Sequence, residues 1–459
     1  MRHLIVCCDG TWQTMASRSN TGRLADAVAP AADDGTPQVV KYVSGVGTAL
    51  GTRLLGGITG WGLSDNVIAG YTWLAREYRP GDAIWLFGFS RGAYAARSLA
   101  GMIGSCGLLD GNTMEDQQLG RAVDRVYSCY RAHPNPDPRL ARLVEGLRFH
   151  YRPDENDGTP IRFIGVWDTV GGLGIPTHLG PGLIDPFRKR YEFHDVKLDP
   201  RIPHARHAVA IDEMRGPFSP TLWQDPEPGQ DMRQVWFPGD HLDVGGGHRD
   251  TSLSDGALLW MMDEASGIGL AFDKRKRDAV QPNPAGRPAG RGFWDLVLEP
   301  IKAFAFAPRP RIVPRIDANR PTSDVHGSAY ERQRAIDYRP TRTLDPGASQ
   351  LVDIPDLQQW SETGLYVEPG DHTIPAEPGA GRPTGLLRRI LGGTGELEGV
   401  VANETTNVQG EVDAPHERVV IRESRTSLLR VTRPGYLYAY GGGYPLAGQR
   451  AARFTVSRL

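Results

Sequence analysis

The pattern with the most chemical content is a Gly-x-Ser-x-Gly turn around Ser90, at Gly88–Gly92. An apolar run, Ala83–Phe87, comes before it, and a segment with helical spacing, Ala93–Ala100, follows it. A strand, this turn and a helix together form a nucleophile elbow, in which two glycines allow a sharp corner that exposes the serine hydroxyl. We therefore predict that Ser90 is a nucleophile. In an ordinary strand-to-helix turn the same serine would only cap the helix.

A serine nucleophile needs a general base, and His241 is the histidine best placed for that role. It follows an apolar segment, Gln234–Phe237, and precedes a glycine-rich turn, Gly245–Gly247. The base of an α/β-hydrolase lies on a loop after a late strand, as this histidine does. Three other histidines compete less well: His207 inside a predicted strand, His248 beyond the glycines and His326 in a late loop.

The acid that orients the base has two main candidates, each at the end of a predicted strand. Asp212 ends the strand before the one that leads to His241, and this position favours Asp212. Asp168 ends an earlier strand, Ile161–Trp167, and would lie near the same crevice because the carboxyl ends of parallel strands converge. Asp243 is a weaker third candidate. The sequence thus favours Asp212, with Asp168 as the alternative acid.

Hydrolysis of an ester also requires an oxyanion hole, built from two backbone N–H donors aimed at the tetrahedral oxygen. One donor is expected from Arg91, directly after the nucleophile. The other is expected from the loop after the first strand, where Gly10 or Thr11 would supply it. This chemistry requires no metal and no organic cofactor, and no cysteine–histidine spacing typical of zinc is present.

These residues must be positioned by a regular scaffold, and the first part of the chain predicts one. Apolar runs alternate with helical segments, as in a mostly parallel α/β sheet with helices on both faces. The predicted strands are Leu4–Cys8, Val39–Val43, Ala83–Phe87, Ile161–Trp167, His207–Ile211 and Arg233–Phe237. The predicted helices are Asp65–Tyr78, Arg91–Gly104, Gln118–Arg131 and Ser254–Ser266. The expected fold is an α/β-hydrolase.

The pattern of residue types changes twice further along the chain. An insertion near residues 273–321 carries an amphipathic segment, Phe293–Phe306, whose apolar side either packs on the core or contacts a membrane surface. After it, short alternating runs separated by glycine and proline predict an all-β sandwich, similar to a jelly roll. We expect a catalytic domain over residues 1–344 and a β-sandwich domain over residues 345–459.

Bulk composition narrows the functional classes. With 39% hydrophobic and 23% charged residues, the chain has the composition of a soluble globular protein. Its formal net charge of -2 provides no field that would attract nucleic acid. The apolar run at Leu4–Cys8 is too short for the core of a signal peptide, which predicts synthesis in the cytoplasm. The four cysteines are accordingly expected to be reduced.

Six separated blocks occur in a fixed order: Asp9–Trp12, Ser44–Thr48, Gly88–Ala93, Val166–Val170, Ala210–Glu213 and Trp236–Gly247. Together they resemble the α/β-hydrolase family known as domain of unknown function 2235, which includes phospholipase effectors of bacterial type VI secretion. The resemblance implies Ser90 as nucleophile, His241 as base and an aspartate that Asp212 fits best. It also implies a lipid ester substrate, export by a type VI secretion machine and a cognate immunity partner.

The C-terminal part carries a second resemblance, at Trp360–Asp371 and Gly435–Tyr438. These segments resemble the galactose-binding β-sandwich lectins of bacteria. Those lectins hold sugar through a calcium ion bound by Asn and Asp side chains after a late strand. The corresponding stretch here, Ala439–Tyr444, lacks these oxygen ligands, and calcium needs several. The resemblance therefore implies a lectin-like sandwich for which sugar binding, lipid binding and simple docking all remain open.

The predicted function is a serine esterase or lipase, with phospholipid as the substrate class that the resemblance implies. One alternative is an esterase for a glycan or a small molecule, and another is a catalytically silent protein that binds carbohydrate or lipid. The run Asp9-Gly10-Thr11 also matches part of the motif of haloacid-dehalogenase phosphatases. Cys7 stands where that chemistry needs a nucleophilic aspartate, which disfavours phosphate hydrolysis.

Overall fold

The structure is a computed structural model, and its description covers residues 1–10, 13–45, 63–132, 144–170, 198–213, 218, 220–224, 226–286, 311, 313, 314, 316, 318, 319, 321–336, 338, 340, 342–344, 346–354, 361–375, 396–402, 417–422, 426–440 and 452–459. The predicted amphipathic segment Phe293–Phe306 lies outside these residues. The chain divides into one unit of Met1–Ile211, Pro217–Arg291 and Thr322–Ile336, and another of Asp212–Gly216, Gly292–Pro321 and Asp337–Leu459. The domain boundary at residues 344 and 345 stays a prediction.

A parallel sheet of six strands forms the centre of the first unit. The strands of this unit are β1 (His3–Cys8), β2 (Gln38–Val43), β3 (Ala83–Phe89), β4 (Leu108–Leu109), β5 (Phe149–Tyr151), β6 (Ile161–Trp167), β7 (His204–Ala210) and β8 (Asp231–Phe237). The order across the sheet is β2-β1-β3-β6-β7-β8, and every neighbouring pair is parallel, while β4 and β5 form a small separate ribbon. The predicted α/β class is confirmed.

Helices cover both faces of this sheet. They are α1 (Asn20–Ala27), α2 (Leu63–Glu77), α3 (Arg91–Cys106), α4 (Asp116–Ala132), α5 (His241–Gly245), α6 (Ser254–Ser266), α7 (Lys274–Asp278) and α8 (Gly327–Ala335). Side chains of β1 alternate between two cores, so that Cys8 packs with α2 and α3, while Cys7 packs with α1 and α6. Among the helices that the structure describes, none is both long and apolar enough to cross a bilayer.

The strand order reverses beside the nucleophile turn. From β1 the chain moves to one side to form β2, and then returns past β1 to form β3 on the other side. Ligands of open α/β sheets bind outside the carboxyl ends of the strands at such a reversal. The residues at these two ends are Asp9, after β1, and Ser90, after β3.

The second unit contains two sheets made of β9 (Arg342–Thr343), β10 (Ser349–Ile354), β11 (Ser361–Val367), β12 (Gly370–Ile374), β13 (Glu396–Ala402), β14 (Glu417–Arg422), β15 (Ser427–Val431), β16 (Gly435–Tyr440) and β17 (Ala452–Arg458). One sheet has the order β10-β17-β12-β15 and the other β14-β13-β16-β11-β9, and all pairs except β11 with β9 are antiparallel. Val352 and Phe454 of the first sheet share one core with Leu365 and Leu437 of the second. The lectin-like character stays a prediction.

Candidate active site

Ser90 stands on a strained corner between β3 and α3. Its backbone has φ 57° and ψ -121°, a region that costs a non-glycine residue free energy. The flanking glycines explain how the chain makes this corner. A Cβ on Gly88 would lie 2.4 Å from the carbonyl oxygen of Gly92, and a Cβ on Gly92 would lie 2.2 Å from that of Cys8. The turn therefore has the geometry expected of a nucleophile elbow.

A continuous chain of hydrogen bonds joins Ser90, His241 and Asp168. The Oγ of Ser90 lies 2.8 Å from Nε2 of His241, and Nδ1 of His241 lies 2.6 Å from Oδ2 of Asp168. An ionised carboxylate only accepts hydrogen bonds, so Nδ1 donates to Asp168 and Nε2 is left to accept from the serine hydroxyl. All three side chains are buried. This arrangement is able to remove the serine proton and to hold it on the imidazole.

Asp168 rather than Asp212 is therefore the hydrogen-bond partner of the base, which corrects the preference drawn from the sequence. Both carboxylate oxygens of Asp212 accept from the hydroxyl of Tyr338, at 3.0 Å. The preference rested on counting strands along the chain. In the sheet, β6 lies directly beside β3, so the residue after β6 follows the strand next to the nucleophile strand.

The backbone around Asp168 fixes the direction of its carboxylate. Asp168 has φ 39°, and its N–H donates to the carbonyl of Ala208 at 2.7 Å. Its Oδ1 accepts from the N–H of Ala210 at 2.9 Å, which leaves Oδ2 for the imidazole. The N–H of Thr169 donates to Nε2 of His207 at 3.1 Å. His207 thus supports the loop that carries the acid, and its neutral imidazole has a structural role.

His241 is the first residue of the short helix α5, and a capping box fixes the start of that helix. The carboxylate of Asp240 accepts from the N–H groups of Leu242 and Asp243, and Asp243 Oδ2 accepts from the N–H of Asp240 at 3.1 Å. Asp243 therefore serves the cap and not the base. Three ligand atoms, one each from Asp240, Asp243 and His248, lie within 4.8 Å of one another and could hold a cation. Acidic groupings of this kind are common without an ion, and the capping hydrogen bonds account for the positions of both carboxylates, so we assign no metal to it.

Two phenylalanine rings enclose the imidazole. The ring centroids of Phe89 and Phe218 lie 4.7 and 4.9 Å from that of His241. A Cβ on Gly245 would lie 1.8 Å from Cε2 of Phe89, which explains why this position in the glycine-rich turn must be small. Apolar walls exclude water and strengthen the electrostatic interactions between the acid and the base. Sequence analysis did not identify Phe218, because it belongs to none of the recognised motifs.

The oxyanion side of the site begins with Arg91, the first residue of α3. The first N–H groups of an α-helix have no intrahelical acceptor and carry the positive end of its dipole, so they suit a developing oxyanion. Burial lowers the pKa of the Arg91 guanidinium to about 10.

The N–H of Gly10 donates to Oδ1 of Asp9 at 2.7 Å, which argues against Gly10 as the second oxyanion donor. Thr11 lies outside the described residues.

Comparison with known proteins adds a family to this geometry. The model of the catalytic domain of Tle1-like phospholipase effectors of type VI secretion systems matches residues 2–264. An uncharacterised protein of Saccharomyces cerevisiae is 28% identical over 232 residues, which is 47% of this chain and 32% of the yeast protein. The match therefore spans about a third of the length of this curated relative.

Two solved structures are similar to parts of the chain. An uncharacterised protein from Pseudomonas aeruginosa is 17% identical with a TM-score of 0.35, over 62% of this chain and 49% of that one. The RedJ thioesterase of prodiginine biosynthesis in Streptomyces coelicolor is 15% identical with a TM-score of 0.28, over 57% of this chain and 90% of that one.

Proposed function

The chain belongs to the family of Tle1-like phospholipase effectors of type VI secretion systems, and from this premise we propose that it is a serine hydrolase that cleaves the acyl esters of phospholipids. The observation that carries the proposal is the hydrogen-bonded chain from Ser90 through His241 to Asp168. The family supports a lipid substrate, whereas the geometry supports the mechanism. Neither phosphate chemistry nor a bound metal is needed to explain the arrangement of these three side chains.

In the acylation step, Ser90 Oγ attacks the ester carbonyl as its proton moves to Nε2 of His241. Asp168 accepts from Nδ1 and stabilises the imidazolium that forms. The carbonyl oxygen becomes a tetrahedral oxyanion beside the start of α3, where the N–H of Arg91 is the proposed donor. When the intermediate collapses, His241 gives the proton to the alkoxide of the leaving lysophospholipid, and the acyl group remains on Ser90.

Deacylation repeats the same transfers with water as the nucleophile. His241 takes a proton from the water, whose oxygen attacks the acyl carbonyl, and then returns the proton to Ser90 Oγ as the fatty acid leaves. The products are one fatty acid and one lysophospholipid.

The wider setting of the activity follows from the family. We propose export by a type VI secretion machine, neutralisation by an immunity partner in the producing cell and action at a membrane surface. The β-sandwich core of the second unit is proposed as a docking module for that surface or for a glycan on it. On strand β15, Leu428 is exposed and would be available for such contacts, whereas Leu429 is buried in the core.

The test is release of free fatty acid from mixed phospholipid vesicles by the wild type and by Ser90→Ala. A matched control is Ser98→Ala, which removes the same atom from a buried serine of α3, the helix that follows Ser90. The proposal predicts release by the wild type and by Ser98→Ala, and none above background by Ser90→Ala.

Two other outcomes would point to a different function. Reaction of the wild type with a fluorophosphonate, without release of fatty acid, would keep the serine hydrolase and move the substrate to a soluble or glycan ester. Absence of both would refute the catalytic reading and favour a binding protein.

A further inference from the structure

A second buried carboxylate lies at the crevice and takes no part in the triad. Asp9, directly after β1, is 1% exposed. Its Oδ1 accepts from the N–H of Gly10 at 2.7 Å, and its Oδ2 accepts from the hydroxyl of Tyr42 at 2.6 Å and from that of Ser19. Three donors converge on one side chain at the end of the strand next to the nucleophile strand.

These donors come from three separate parts of the fold. Gly10 belongs to the loop that leaves β1, and Tyr42 belongs to β2. Ser19 caps α1, where its Oγ also accepts from the N–H of Gly22 at 3.1 Å. The Asp9 carboxylate therefore fastens the loop after β1 to a neighbouring strand and to the start of a helix.

The backbone of Asp9 and Gly10 packs closely against the nucleophile turn. A Cβ on Gly92, two residues after Ser90, would lie 2.6 Å from the carbonyl carbon of Asp9. A Cβ on Gly10 would lie 3.1 Å from the ring of Phe89, the residue before Ser90. A Cβ on Gly45, which follows β2, would lie 1.6 Å from the carbonyl oxygen of Gly10. The loop has little freedom to move without moving the turn.

Asp9 occupies this position at a cost in free energy. Burial raises the pKa of its carboxyl, although the hydrogen bonds from Ser19, Tyr42 and Gly10 each oppose that rise. Burying a carboxylate removes its hydration, and its hydrogen bonds offset that cost only in part. Perturbed groups of this kind cluster at functional sites, where geometry rather than stability explains their presence.

We propose that Asp9 is a positioning residue, which holds Gly10 against the nucleophile turn so that Ser90 and the N–H of Arg91 keep the orientation that the tetrahedral oxyanion requires. The inference rests on the proposed function, because an oxyanion forms only if Ser90 attacks an ester. Asp9 does not touch the reacting atoms. It acts by binding the N–H of Gly10 at 2.7 Å, which holds the described part of the loop against Gly92 and Phe89 on either side of Ser90.

The test compares Asp9→Ala, Asp9→Asn and Tyr42→Phe with a control, Asp82→Asn. Asp82 is also buried and accepts from the N–H groups of Arg2 and Arg79, but it precedes β3, at the end of the strand opposite to Ser90. For each variant the readouts are kcat and KM on a soluble p-nitrophenyl ester, affinity for an aryl trifluoromethyl ketone, which mimics the oxyanion, and the thermal midpoint.

Asp9→Ala is expected to lower kcat about 10²-fold, the usual effect of one oxyanion donor, with a matching loss of ketone affinity and little change in KM. Asp9→Asn should recover most of this loss, since its amide oxygen still accepts from Gly10. Tyr42→Phe should show a smaller, parallel loss of kcat and ketone affinity, and it decides the question if Asp9→Ala does not fold. Asp82→Asn should lower the thermal midpoint and leave kcat unchanged.

Two results would overturn the inference. One is a folded Asp9→Ala with kcat within threefold of the wild type, and the other is a loss in Tyr42→Phe that is confined to the thermal midpoint. Failure of the proposed function has a different signature, because the wild type itself would then neither hydrolyse the ester nor react with a fluorophosphonate.

Discussion

Asp168→Asn tests the assignment of the acid with the least disturbance to the fold. The substitution keeps the shape of the side chain, and asparagine is among the residues that best tolerate the φ of 39° found here. The hydrogen-bond partners of the carboxylate determine the orientation of the new amide. Because the position of Oδ1 faces the N–H of Ala210, the amide oxygen must stay there, and the NH₂ group must face Nδ1 of His241.

The tautomer of the base then reverses. With a donor opposite it, Nδ1 of His241 must accept, so the proton moves to Nε2, which faces Ser90 Oγ at 2.8 Å. A protonated Nε2 cannot take the serine proton. The loss expected from a wrong tautomer is about 10⁴-fold in kcat, or about 5 kcal/mol of transition-state stabilisation. The thermal midpoint should change little, because the bond from Ala210 survives.

The assay is kcat on a soluble ester together with the rate of labelling by a fluorophosphonate. Asp212→Asn is the matched control, since its amide oxygen can still accept from Tyr338, and its kcat should stay within about threefold of the wild type. The reasoning is refuted if Asp168→Asn keeps more than a tenth of the wild-type kcat. It is equally refuted if Asp212→Asn loses as much activity as Asp168→Asn.

Three further predictions concern packing and stability. Gly245→Ala should displace the ring of Phe89, because Cε2 of that ring would lie 1.8 Å from the new Cβ. We expect the substitution to lower the free energy of unfolding, measured by urea denaturation, by about 2 kcal/mol. Burial lowers the pKa of His326 from 6.5 to about 4. Between these two pH values the unfolded chain therefore binds a proton that the folded chain does not. The unfolding free energy should therefore fall by up to about 3 kcal/mol as the pH drops from 6.5 to 4, and His326→Asn, which keeps the helix cap, should lack that part of the fall. Arg206→Met removes a buried guanidinium that binds Asp231 and Glu264 at 2.6 Å, and should lower the thermal midpoint while leaving kcat unchanged.

The sequence predicted the scaffold well because its signals are local. Apolar runs bounded by turns identified all six strands of the parallel sheet, and each predicted bound lies within a few residues of the structure. The turn around Ser90 was recognisable because only glycine fits at both flanking positions. His241 could be singled out by the glycine-rich turn that follows it.

The acid could not be chosen from the sequence, because the choice depends on which strands are neighbours in space. Asp168 and Asp212 both end strands, and chain order alone favoured the later one. The order across the sheet, in which β6 lies next to β3, decides otherwise. The role of Asp9 was likewise hidden, since its partners Ser19 and Tyr42 are distant in sequence and carry no motif.

The most direct test of the account is to map the site of fluorophosphonate labelling by peptide mass spectrometry in the wild type and in His241→Ala. We predict a single adduct, on Ser90 of the wild type, and labelling that is at least about 10³-fold slower when the imidazole is absent. An adduct on another residue, no adduct on a folded wild type, or equal labelling of His241→Ala would contradict the claim that His241 activates Ser90 for attack on an acyl ester.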